Sequence, residues 1–111
     1  MRQDERQIID GRNLSYREFK MEMDVVKEYY DNSHDSRSLI TDSLGQFWIY
    51  DFHEEMSFSG SDIIYEHFFK IDNLDCNEDY GKYSIIDLKS KFKNYLYSKT
   101  PSFEMISVGN I

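Results

Sequence analysis

The run Phe47-Trp48-Ile49-Tyr50-Asp51-Phe52 narrows the folds open to this chain more than any other stretch. β-Branched and aromatic side chains dominate it, and such residues fit a pleated, half-buried surface. Residues 46–52 therefore read as a strand. Asp42 to Gln46, with Gly45 inside it, has the composition of a turn. Residues 38–42 before it read as a short strand, so a hairpin is the simplest connection.

Helical signals flank this hairpin. Ser15 and Glu18 have capping-box spacing, and Phe19, Met23, Val26 and Tyr30 then recur at spacings of four, three and four. A strand reading competes, because Phe19, Met21, Met23 and Val25 also alternate. The good helix formers Met, Glu and Lys favour a helix over 16–31. Residues 31–37 read as a polar loop. Ser84 and Asp87 form a second capping pair ahead of Ile85, Leu88, Phe92, Tyr95 and Leu96, which predicts a helix over 85–98. Thr100-Pro101 ends it, and 102–108 reads as a last strand.

Residues 62–71 fit two patterns. Ile64, His67, Phe68 and Ile71 suit a helix face, whereas Ile63, Tyr65, His67 and Phe69 suit a strand. Ser61 at a cap position favours a short helix over 62–70. The expected fold is α+β. Two main helices (16–31 and 85–98) pack on a short antiparallel sheet (38–42, 46–52, 102–108), in a single domain spanning 1–111. A chain of 111 residues can bury one core.

Charge separates the function classes. The chain holds 21 acids and 13 bases, for a formal net charge of −8. Such a field repels nucleic acid and anionic membrane and attracts basic surfaces. The single cysteine, Cys76, cannot form an internal disulfide, which fits a reducing compartment. The N-terminal residues do not read as a signal peptide, and no apolar run approaches spanning length, so a cytoplasmic location is expected.

The charge is also unevenly placed. Residues 38–81 hold ten acids against Lys70 alone, while residues 82–99 hold five bases against Asp87. Eight aromatics lie between positions 47 and 69 of that acidic middle. Acids on such a stretch commonly solvate the outer face of an aromatic core. Tyr and Trp left at a surface are instead anchors for protein partners, and surrounding carboxylates steer a basic one.

Candidate catalytic chemistry is thin. His34, His53 and His67 form no HExxH pattern, and His53-Glu54 are neighbours that point to opposite faces of a strand. Asp75, Glu78 and Asp79 around Cys76 disfavour its thiolate. Asp75, Asn77 and Asp79 match the first calcium-loop ligand positions. Tyr80 and Ile86, however, stand where such a loop needs its glycine and its bidentate glutamate. An acidic turn before a helix is the better reading. No catalytic residue, metal ligand or cofactor is expected.

The expected function is that of an acidic protein-binding inhibitor, most simply an immunity or antitoxin protein that occludes the active site of a basic toxin or nuclease. In composition the chain is similar to many bacterial immunity proteins and to phage-encoded DNA mimics, with no shared motif. The residues expected to meet the basic protein partner are Trp48, Tyr50, Asp51, Glu54, Glu55, Asp62, Tyr65 and Glu66. A DNA-mimic inhibitor and a small histidine/carboxylate hydrolase built on His53 and His67 are the alternatives. Oligomeric state stays open, and an exposed β edge near 102–108 would suit a homodimer.

Overall fold

The computed structural model describes residues 6–9, 12–56 and 62–101. β1 (Arg6–Ile9) and β2 (Arg12–Ser15) form a hairpin that leads straight into α1 (Tyr16–Met21). Then follow β3 (Asp24–Asp31), β4 (Asp35–Thr41), β5 (Phe47–Glu55) and β6 (Ile63–Ile71). A 3₁₀ turn (Tyr80–Lys82), α2 (Ile85–Lys91) and β7 (Tyr95–Pro101) complete the described chain. β3 to β7 form one antiparallel sheet in sequence order. The α+β class holds, but the fold is dominated by its sheet.

The expected hairpin of β4 and β5 is present. Asp42 builds its turn: one carboxylate oxygen accepts from Leu44 N at 2.9 Å and Gln46 N at 3.0 Å. Gly45 takes a φ of +77°, which a side chain would strain.

Three helical expectations are corrected. The helix expected over 16–31 stops at Met21, although its capping box is present, with Ser15 and Glu18 bonding reciprocally at 3.1 and 2.9 Å. Beyond it the chain runs extended as β3. Residues 24–31 pair with β4, and Val26, which the helical stripe would have buried, is 54% exposed. The polar loop expected over 31–37 is correspondingly shorter, since β4 already begins at Asp35.

The short helix expected over 62–70 is a strand. β6 lies between β5 and β7, with apolar residues on both faces, and that erases the alternation which would mark it. The helix expected over 85–98 ends at Lys91. Its Ser84 cap accepts from Asp87 N at 3.1 Å as anticipated. Tyr95, Leu96 and Tyr97 belong instead to β7, whose pairing satisfies the second edge of β6. The strand expected over 102–108 lies outside the described residues.

The two sheet faces carry separate cores. On one, Ile40, Trp48 and Phe68 pack with Ile9, Tyr16 and Phe19 from the hairpin and α1. Phe19 stands edge-on to Trp48 and Phe68, at ring separations of 5.0 and 5.3 Å. On the other, Leu39, Ile49, Phe69 and Ile71 pack with Tyr80 and Leu88. Each fully buried side chain of this size contributes roughly 1.5–3 kcal/mol. Gly81 lets the 3₁₀ turn settle on β3, because a Cβ there would lie 2.9 Å from Tyr29 Cβ. This second layer reaches only part of its face. The uncovered part is where the polar residues gather.

Candidate functional site

Alternation along three neighbouring strands builds the site. Asp35 and Arg37 on β4, Asp51, His53 and Glu55 on β5, and Tyr65 and His67 on β6 all point to the face that α2 only partly covers. With Tyr30 from β3 and Ile85 at the start of α2, they line an open cleft of about 480 Å³. Tyr97 on β7 stands beside His67, with ring centres 5.0 Å apart.

The floor is a buried ion pair. Arg37 Nε donates to Asp51 Oδ1 at 2.7 Å, and both side chains are almost wholly buried. Arg37 Nη1 also donates to the carbonyls of Tyr80 and Tyr83, at 3.2 and 2.5 Å. Tyr30 donates its hydroxyl to Asp51 at 3.3 Å. Burial pushes the Asp51 carboxyl up, and Arg37 opposes that shift. Because Arg37 ties β4 to the 3₁₀ turn, the floor of the cleft is also the joint that seats the second layer.

The mouth is a chain of polar contacts. His53 Nδ1 lies 2.5 Å from Asp35 Oδ1, and its Nε2 lies 3.8 Å from Glu55 Oε1. Tyr65 donates to Glu55 at 3.3 Å. The His53 and Tyr65 rings stack at 5.9 Å, and Tyr65 stacks on Tyr97 at 6.4 Å. Deeper in, His67 Nδ1 is 2.9 Å from the Tyr95 hydroxyl. Burial first, then the positive charges of Lys89 and Arg37, pull the His67 pKa down to about 4. His67 is thus a neutral ring near pH 7. Burial pushes the Tyr95 hydroxyl up to about 12.

The eight residues expected to meet a partner divide between the faces. Asp51, Glu55 and Tyr65 come together in the cleft. Trp48, only 2% exposed, lies in the opposite core and donates its indole N–H to Asp42 at 3.1 Å. Tyr50 packs against that same core and donates to the buried Glu66, which also takes Lys20 Nζ at 2.8 Å. Burial, then Glu66, pushes the Tyr50 hydroxyl up. Glu54 lies 3.6 Å from His34 Nδ1, and Asp62 is half-buried just ahead of β6. Trp48, Asp51 and Glu66 are buried.

The acidic middle is partly neutralised from within. Asp42, Asp51 and Glu66 face Arg12, Arg37 and Lys20, respectively. In the loop after β6, Asp75 and Asp79 accept from Asn77 N and Gly81 N, and Glu78 accepts from the Tyr83 hydroxyl at 2.8 Å. These acids shape the turn ahead of α2. Cys76 is exposed.

Sequence reasoning missed Asp35, Arg37 and Tyr97, and it joined His53 with His67 only in the alternative hydrolase reading. The signal was present in the spacing. His53 and Glu55 are two apart on a strand and so share a face, as do Tyr65 and His67. Reading 62–70 as a helix hid the second pair. Among the described residues no group of three or more His, Cys, Asp or Glu side chains is placed to hold a metal ion. Among them, too, no helix is long and apolar enough to cross a membrane.

Comparison with family models, with curated proteins and with solved structures finds no match to this chain.

Proposed function

We propose that the chain is an acidic protein-binding inhibitor, most simply an immunity or antitoxin protein, whose open cleft engages a basic protein partner and thereby covers that partner's active site. The observation that carries this reading is the make-up of the cleft mouth. Asp35 and Glu55 flank a half-exposed histidine, with tyrosines stacked beside it, in a chain of net charge −8. Carboxylates beside aromatic rings bind cationic side chains through ion pairing and contact with the ring. Asp35, His53, Glu55, Tyr65 and Tyr97 are the contact residues of this proposal. A toxin or nuclease with a basic substrate groove is the matching partner class.

The test is a measured complex. The tagged chain is used to capture a partner, and the dissociation constant is then followed as salt rises. Affinity should fall steeply between about 0.05 and 0.5 M salt, as the screening length shrinks. Tyr65→Ala should weaken the complex by about 2 kcal/mol, as expected for a central aromatic anchor. Glu55→Lys should weaken it further, and the bound partner should lose its own activity. A complex indifferent to salt and to both substitutions would refute the reading.

One observation favours a second reading, a small hydrolase. His53 is oriented by Asp35 through Nδ1, and His67 lines the same cleft. A histidine fixed this way can act as a general base toward a bound water. That reading expects turnover that disappears in both His53→Ala and His67→Ala. Turnover surviving either change would end it.

A further inference from the structure

The polar cleft takes up one end of the second sheet face. The other end holds a cleft of different chemistry. Val26 and Tyr29 from β3, Leu39 from β4, Phe47 from β5 and Leu74 from the loop after β6 line an opening of about 420 Å³. That volume falls within the roughly 300–1,000 Å³ of clefts that hold ligands.

Two bulges in β3 shape this wall. Val25 pairs with Ile40 and Lys27 with Leu39, so Val26 is the extra residue of the first bulge. Glu28 pairs with Ser38 and Tyr30 with Arg37, so Tyr29 is the extra residue of the second. Val26 and Tyr29 are three apart, a spacing that an unbroken strand sends to opposite faces. The bulges turn both into the cleft. Val25 stays on the opposite face, where it lines a groove with Ile40 and Phe68. Val26 is left 54% exposed.

The lip of the cleft is negative. Residues 72–79 hold four acids and no base. Asp75, Cys76 and Glu78 of this loop stand at the cleft itself. The carboxylates of the loop accept from neutral donors: Asp75 from Asn77 N, Glu78 from the Tyr83 hydroxyl and Asp79 from Gly81 N. Among the described residues neither these three nor Asp72 stands in an ion pair, in contrast to Asp42, Asp51 and Glu66. On the β3 side Lys27 Nζ lies 5.3 Å from the Tyr29 ring centre. The negative charge of the loop is thus uncompensated by ion pairing where the apolar floor lies open.

Floor and lip together select an occupant. The floor takes apolar side chains, and the carboxylates attract cations beside them. The cleft opens over the face of the sheet, so a segment lying in it has no strand there to pair with. A helix arrives with its backbone bonds already made and reads such a groove with its side chains. We propose that this end of the face is a docking cleft for a basic amphipathic helix of a partner protein, with the helix's apolar side chains on Val26, Leu39, Phe47 and Leu74 and its lysines or arginines against Asp75 and Glu78. The site lies apart from the polar cleft and does not rest on the inhibitor reading.

The experiment titrates the full chain with an alanine-based helical peptide that carries leucines at i, i+3, i+4 and i+7 and lysines beside them. Two matched peptides replace the leucines with alanine or the lysines with glutamine. NMR follows the methyl signals of Val25, Val26 and Leu39 and the ring signals of Tyr65. The lysine–leucine peptide should shift Val26 and Leu39 and leave Val25 and Tyr65 in place. It should also slow alkylation of Cys76, the single cysteine, at the lip. Replacing the lysines should weaken binding at least about fivefold at low salt, where charge is least screened. Replacing the leucines should weaken it at least about tenfold. Val26→Ser should cost at least about fivefold, and Val25→Ser should leave binding unchanged. Asp75→Asn combined with Glu78→Gln keeps the oxygen acceptors of the turn and should bring the lysine and glutamine peptides to within about twofold of each other. Shifts centred on Tyr65, equal binding of the glutamine peptide to the wild type, no binding of any peptide, or a complex indifferent to Val26→Ser would each overturn the proposal. Val26 shifts that grow with the concentration of the chain alone would assign the cleft to a second copy and would overturn it as well.

Discussion

The two faces of the sheet answer the same problem differently. Each holds a buried carboxylate paired with a cation inside an aromatic layer: Glu66 with the partly exposed Lys20 on one side, Asp51 with the buried Arg37 on the other. On the first face the β1–β2 hairpin and α1 lie over the core, and Glu66 is closed off with Tyr50 and Lys20. On the second, the 3₁₀ turn and α2 leave one end uncovered, and the ion pair becomes the floor of a cleft. The contrast teaches that burying a charge does not by itself make a site. What differs is whether polar groups above the charge remain in reach of solvent.

The contrast is most open to attack at Arg37. Arg37→Ala leaves Asp51 buried without its cation and frees the Tyr80 and Tyr83 carbonyls, so urea unfolding should show a loss of about 3–5 kcal/mol. A loss below about 1 kcal/mol would mean that the cleft floor does not seat the second layer. Lys20→Ala should have a smaller effect, about 1–3 kcal/mol, because Lys20 is partly exposed and Tyr50 still donates to Glu66. Lys20→Ala proving more damaging than Arg37→Ala would reverse the ranking of the two pairs.

Smaller effects sharpen the comparison. Ser15→Ala removes the cap of α1 and should lower stability by about 1 kcal/mol, with little change at the cleft. Loss of His53–Tyr65 ring signals in that variant would show that the faces are coupled. The His67 prediction concerns pH. Its folded pKa of about 4 lies below the ordinary 6.5, so the unfolded chain binds its proton first. The stability tied to its neutral ring is complete above pH 6.5 and drains away as pH falls toward 4. Unfolding measured across that range should show the loss in the wild type and less of it in His67→Gln. Equal pH dependence in both would contradict burial as the cause.

Sequence was most informative where one signal acted alone. The Ser15–Glu18 and Ser84–Asp87 caps marked two helix starts, and the Asp42–Gln46 turn marked a hairpin. Local bonds fix such features, and neighbours in sequence supply them. It misled where a segment's partner lay far along the chain. Residues 24–31 and 95–101 carry aromatic and β-branched residues after a helix start, and only pairing with β4 and β6 decides where each helix ends. β6 is apolar on both sides, so nothing in its own pattern distinguishes strand from helix. The site inherited that difficulty. Glu55 and Tyr65 were legible as exposed candidates, while Asp35 and His67 needed the register across three strands to come near them. Trp48 and Glu66 suited a surface by type, yet the sheet turned them inward.

β3 carries one more consequence. Its pairing with β4 shifts register twice within eight residues, between Val25 and Lys27 and again between Glu28 and Tyr30. Val25 and Val26 are exposed on this outermost strand of the described sheet. An extended chain arriving there from outside would find its rungs out of step after two or three residues. The two shifts thus make this rim, valines included, a poor template for adding a further strand.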